Sequence, residues 1–368
     1  MSIKGLTWDH PRGYQALQSS LKWAHCPLEQ WDVQPLSGFE ETPLHKLADL
    51  YDLLVIDHPH LGQAIESDCL QPLDAHLSPL WLEGLKDRCI GKTAHSYWLD
   101  NHCWALPLDA SSQIMAYRSE SRDTTLAING WLDLLRTQSR FQLCLAGPHA
   151  TLQLLALSLA VGSSGPNNHQ FMSTHDGVEA VDLMKSLFLA SVAPSTFLNP
   201  IEILDALSNT SKFDLCPFVY GYVNYSQTPA TVEVCAPPNN VSILGGTGIA
   251  ITKKCHISNE LLLYLKKLLS SDIQNTFIPK HAGQPSFKSA WRNTEVNQQV
   301  NHFYRHAYAT VDNAYLRPRH TGYIEFQDRA AQLIREGLTN RTSSKQLVKE
   351  MNLLYSKTRR NGHGTRSE

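Results

Sequence analysis

The chain has 368 residues, with 32 Lys and Arg against 34 Asp and Glu for a formal net charge of −2, and 42% hydrophobic residues including 13 Tyr, 11 Phe and 8 Trp. That length exceeds what one hydrophobic core usually serves, so two lobes of about 150 to 200 residues each are expected, and the composition excludes a disordered or fibrous chain. The balanced charge gives no electrostatic footprint for nucleic acid or anionic lipid, so neither is an expected partner.

The opening residues run directly into Thr7-Trp8-Asp9-His10-Pro11 without the basic, apolar and small-residue succession of a signal peptide. The chain as given is therefore expected in the cytoplasm, a trimmed periplasmic form being the alternative. Segment 4–8 reads as a strand ending at Asp9-His10-Pro11-Arg12-Gly13, and 14–23 as a helix with an apolar face at Leu17, Leu21 and Trp23 or Ala24. The run YDLLVID at 51–57 stops at His58-Pro59, the pattern of a buried parallel strand that delivers polar residues to a loop. Open α/β sheets gather ligands at such strand ends. Further strands are expected at 104–108, 114–118, 141–146, 214–220, 231–236 and 248–252, and helices at 152–161, 177–189, 259–269, 324–338 and 343–355. Strand and helix signals alternate, so the class is α/β with mainly parallel sheets. The apolar runs 154–161 and 261–269 are too short to span a bilayer, so no membrane insertion is expected. The basic run 357–366 reads as a solvated terminus.

Eight cysteines stand far apart with no CxxC pair, which suits reduced, mostly buried thiols. The adjacent pairs His25-Cys26, His102-Cys103 and Cys255-His256 point to opposite faces if on strands, and HExxH and zinc-finger spacings are missing. No metal and no cofactor is expected. Gly245-Gly246-Thr247-Gly248 lacks the trailing Lys-Ser/Thr of a phosphate loop and does not fit GxGxxG.

Four segments taken in order, YDLLVIDHPHLGQAIESDCLQPLD (51–74), YWLDNHCWALPLDASSQIMAYR (97–118), GGTGIAITKKCHISNELLLYLKKLLSSDIQNTFIPKHAGQPSFKSAW (245–291) and NAYLRPRHTGYIEFQDRAAQLIREGL (313–338), resemble family 1 extracellular solute-binding proteins. The resemblance implies a two-lobed type II periplasmic-binding-protein-like fold that closes by a hinge on a small polar molecule, sugar or carboxylate-bearing, in an interlobe cleft. Lobe one would be 1–109 plus 248–312 and lobe two 113–244 plus 316–368, with crossovers near 109–113, 244–248 and 312–316. A monomer is expected, with an ABC permease as partner if the protein is exported. Transport members carry a signal peptide, which the sequence does not show, so a cytoplasmic enzyme reusing the same cleft is the alternative. Thiaminase I, an enzyme on a similar scaffold, uses a cysteine near the first crossover, and no cysteine follows Pro107 there.

Placed on that fold, the loop after the first strand offers Trp8, Asp9, His10, Arg12 and Tyr14. Arg12 could pair with a carboxylate or phosphate, Trp8 or Tyr14 could stack on a ring, and His10 could move a proton. The alternative has Asp9 capping the helix while Trp8 and Tyr14 pack in the core. Asp57 and His58 hold the equivalent position after the second such strand, either in the cleft or capping a helix that begins at Pro59. Asp109 and Ser111 at the first crossover, Tyr220 and Tyr222 from lobe two, Gly246 and Thr247 at the return, and Arg317 near the last crossover complete the ligand-binding candidates. For the enzyme alternative, Asp9, His10, Asp57, His58 and Asp109 are the acid–base candidates.

Overall fold

The structure, a computed structural model, describes residues 3–227 and 231–361. The last part of the basic run at 357–366 lies outside the described residues. The chain divides into two compact units, one made of Met1–Ser111, Tyr222–Gln227 and Leu244–Arg319, the other of Ser112–Gly221, Thr228–Ile243 and His320–Glu368. Segment Tyr222–Gln227, expected inside the 113–244 stretch of lobe two, groups with the first unit, where the Val223 amide donates to Gln284 Oε1 at 3.0 Å. The chain through Arg319 does the same, past the expected boundary at 316, because Arg319 donates to the carbonyls of Ser96 at 3.1 Å and Trp98 at 2.6 Å.

The first unit is built on a five-stranded sheet. Strand β1 (Ile3–Trp8) pairs in parallel with β2 (Leu28–Gln34) and β3 (Leu53–Ile56). Gly248–Ile251 then runs antiparallel to β3 and to the short strand Leu106–Pro107. All four residues of β3 are buried, as its unbroken apolar run requires of a strand covered on both faces. Leu6, Leu54, Ile56, Leu61, Ala64, Tyr97 and Ala250 pack into one core cluster beneath the polar ends of β1 and β3. Helix α1 (Pro11–Ser20) starts three residues earlier and ends earlier than the spacing predicts. It buries Gly13, Ala16, Leu17 and Ser20, an i, i+3, i+4, i+7 stripe, rather than Leu21 and Trp23.

In the second unit, Ser111–Arg118 pairs antiparallel with Leu215–Tyr220 and with Val232–Cys235. The expectation of mainly parallel sheets is thus corrected: β1 pairs in parallel with β2 and β3, whereas the other ladders described here are antiparallel. Helix His149–Ala160 is buried on nearly all sides and packs with Thr174–Ala190 and Tyr323–Thr339, the last of which also lies against Ser344–Asn361. The strand expected at 141–146 forms only isolated bridges, Phe141 to Leu215 and Cys144 to Leu198. The Gln142 side-chain amide donates to the carbonyls of Ala193 at 3.2 Å and Thr196 at 3.1 Å, contacts that stand in for a backbone ladder. No helix among the described residues is long and apolar enough to cross a membrane.

Candidate functional site

Pro11 occupies the first turn of α1, where its fixed φ is preorganised and its missing N–H costs nothing. The residue before it is held extended, His10 having φ −153°, and the His10 Nδ1 accepts the Arg12 amide at 3.2 Å. His10 therefore caps the helix, not Asp9, which is exposed and whose amide ties the end of β1 to the Gln34 carbonyl at 2.7 Å. Trp8 lies flat against the start of α1, where a Cβ on Gly13 would come within 2.5 Å of the indole.

The capped turn aims Arg12 at the first crossover. Its Nε donates to Asp109 Oδ2 at 2.9 Å and its terminal nitrogen to Oδ1 at 2.5 Å, with both side chains buried. Asp109 is fixed in turn by its backbone: its amide donates to the Thr247 carbonyl at 3.0 Å and its carbonyl accepts the Thr247 amide at 3.2 Å. Gly246 makes that approach possible, with φ +102° and an added Cβ only 2.5 Å from the Asp109 carbonyl oxygen. The Thr247 backbone is thus spent on the crossover rather than offered to a ligand. Beside it, Ser111 is buried, and Gln284 clamps Ala110 through two bonds of 3.0 Å.

Aromatic rings surround this ion pair. Trp8 and His10 are stacked at 5.4 Å and 9°, Tyr222 meets His10 edge-on at 4.8 Å, and Tyr225 stacks on His10 at 6.4 Å. The Arg12 guanidinium sits 5.0 Å from the Tyr222 ring centre. A second cluster lies at the end of β3. Arg317 donates to Asp57 Oδ2 at 2.6 Å, and His58 Nδ1 lies 3.1 Å from Asp57 Oδ1. The Asp57 carboxylate accepts no capping bond from the short turn His58–His60, whose His60 amide donates instead to the Asp57 carbonyl at 3.2 Å, so the side chain serves the ion pair rather than a helix cap. Tyr97 stands between the clusters, its hydroxyl donating to the carbonyls of Ile56 and Gly246, each at 3.3 Å.

The electrostatics follow from burial. Desolvation, aided by the Arg12 charge, lowers His10 to about 4, and desolvation lowers His58 to about 4, so both imidazoles are neutral near pH 7. Burial alone would raise Asp57, but Arg317 and His58 outweigh it and hold the carboxyl well below its usual range. Burial pushes the Asp109 carboxyl up against the pull of Arg12, while Asp109 raises the guanidinium of Arg12. Burial also drives the Tyr97 hydroxyl well above its ordinary value.

Of the residues singled out from sequence, the fold brings Trp8, His10, Arg12, Asp109 and Tyr222 into one cluster and Asp57, His58 and Arg317 into another. Asp9 and the half-buried Tyr14 stand aside from both. Tyr220 lies in the second unit, against His149 at 5.9 Å. Sequence reasoning missed Tyr97 and Gln284, whose roles depend on contacts with distant backbone that no local spacing announces. Among the described residues no group of three His, Cys, Asp or Glu side chains could hold a metal ion.

Neither the protein-family models nor the curated proteins contain a match. Solved structures do. A maltose-bound MalE3 of T. maritima is similar with a TM-score of 0.77 at 17% identity, over 95% of this chain and 97% of that one. An ABC transporter solute-binding protein from Thermotoga lettingae, bound with alpha-D-tagatose, gives 0.78 at 14% over 97% and 99%, and one from Agrobacterium radiobacter, in complex with ribitol, 0.75 at 16% over 97% and 98%. The chain has their fold. The fold implied by the four sequence segments and the α/β class therefore stand, and within that fold the two clusters lie at the ends of β1 and β3.

Proposed function

We propose that this protein binds a small uncharged polyhydroxy solute, a sugar or polyol, at the strand-end face of its first unit. The observation that carries the choice of ligand class is charge balance. The two cations the sequence offers to an anion, Arg12 and Arg317, each face a carboxylate of their own chain, Asp109 and Asp57. A carboxylate- or phosphate-bearing ligand would have to compete with those carboxylates, whereas a neutral polyol needs only hydrogen-bonding groups and aromatic surface. The sugar and polyol ligands of the similar structures support the same class.

The enzyme alternative draws less support from the geometry. His58 is fully buried, and Asp57 and Asp109 are engaged in ion pairs, which leaves them poorly placed as acid–base groups. Closure driven by the ligand belongs to this reading, as do a monomeric state and, for an exported form, an ABC permease as partner. The eight free cysteines support a reducing compartment and hence the cytoplasm.

Isothermal titration against neutral pentoses, hexoses, disaccharides and alditols, set beside sugar acids and sugar phosphates, tests the ligand class. One-to-one binding of a neutral member, with a raised Tm, is expected. Binding confined to the charged compounds would falsify it. Small-angle scattering with and without the bound sugar tests closure.

A further inference from the structure

The rings best placed to stack on a sugar have no free face. Trp8 is 3% exposed and His10 8%, because they are packed on one another and overlaid by Tyr222 and Tyr225 of segment Tyr222–Gln227. We propose that this segment is an intramolecular cover over Trp8 and His10 which the solute displaces, so that the protein controls access to its own site. The inference rests on the solute-binding reading above and names how that site is regulated.

Three observations support a cover that can leave rather than a permanent part of the core. The segment is pinned by a specific clamp, the Val223 amide on Gln284 Oε1 at 3.0 Å, and Gln284 itself belongs to the crossover that carries Asp109. Its outer residues Asn224 and Tyr225 remain partly exposed, unlike the rings beneath them. Two polar side-chain atoms of these residues, Trp8 Nε1, which packs against Gly13, and Asn224 Oδ1 of the segment, are buried without a hydrogen-bond partner. A buried donor and a buried acceptor left unmatched weigh against the covered state. A polyol can supply both missing partners, its hydroxyl oxygen accepting from the indole N–H and its hydroxyl hydrogen donating to the amide oxygen once the segment lifts. Tyr225 competes directly, since its ring occupies stacking surface on His10 that the apolar face of a sugar would use.

The test compares the natural protein with Tyr225→Ala and Tyr225→Phe by isothermal titration with the neutral sugar or alditol that binds, together with hydrogen exchange of the Val223 amide. The Ala variant should bind roughly threefold to tenfold more tightly, as expected when a competing aromatic contact is removed. The Phe variant, which keeps the ring, should stay within about twofold of the natural protein, and saturating ligand should accelerate Val223 exchange in the natural protein. Equal or weaker binding by the Ala variant overturns the cover alone, since Tyr225 would then be a ligand contact or a bystander. Slower Val223 exchange with ligand overturns it as well, because the segment would then close on the solute. Should the Ala variant fail to fold cooperatively, the exchange measurement on the natural protein decides. Absence of binding in all three proteins sinks the solute reading, and the cover with it.

Discussion

Arg12 and Asp109 stand 97 positions apart in sequence and meet in a two-pronged buried ion pair, Nε to Oδ2 at 2.9 Å and the terminal nitrogen to Oδ1 at 2.5 Å. The pair joins the first turn of α1 to the first crossover. It turns what reads in sequence as an anion receptor into a neutral structural joint.

Removing one partner should therefore cost more than removing both. Asp109→Asn leaves a guanidinium buried without its counter-charge and is expected to lower stability by about 3 to 5 kcal/mol. The double change Arg12→Met with Asp109→Leu should lose clearly less, because no charge is stranded. Urea unfolding of the two variants checks this, and a double variant as unstable as the single one would show that the joint acts through shape rather than charge.

Stability should fall on mild acidification. His10 and His58 are held to about 4 by burial, against an ordinary value of 6.5. Between those values the unfolded chain binds protons that the folded chain refuses, so stability is complete above about pH 6.5 and is lost as the pH drops toward 4. Each histidine contributes up to roughly 3 kcal/mol to that loss. The depressed Asp57 carboxyl acts in the same sense, but only below the ordinary carboxylate range, near pH 4 and lower. Urea midpoints at about pH 7 and about pH 4.5 should differ markedly, and His58→Gln should narrow the gap.

Gly246→Ala should destabilise the crossover. Its φ of +102° disfavours any side chain, and the new Cβ would meet the Asp109 carbonyl oxygen at 2.5 Å. A loss of about 3 kcal/mol is expected from strain and forced displacement together. Thermal unfolding measures it, and a variant as stable as the natural protein would mean the crossover backbone yields readily.

The cysteines should divide by exposure. Cys26 and Cys235 are partly exposed and the other six buried, and burial raises the Cys235 thiol to about 12. Thiol titration should find Cys26 reacting first in the folded protein and all eight cysteines after unfolding. Fewer than eight reactive thiols in the unfolded chain without reductant would show disulfides and argue against a reducing compartment.

By itself the sequence determined the alternation of strands and helices, the buried run that becomes β3, the polar residues that follow β1 and β3, and, through four segments in register, the fold shared with the similar solved structures. These are local matters, because periodicity, proline placement and apolar runs act over a few residues. The tertiary structure decided what the polar residues are for. Arg317 meets Asp57 from 260 positions away, and Gln284 clamps Val223 from 61 away, so whether a charge faces solute or a partner depends on segments the loop's own neighbours do not reveal. The same holds for His10 in place of Asp9 as the cap, and for Tyr222 in the first unit rather than the second. Burying a cation requires a counter-charge and burying an aromatic requires a surface to cover, and only the folded chain can say which distant residue supplies them.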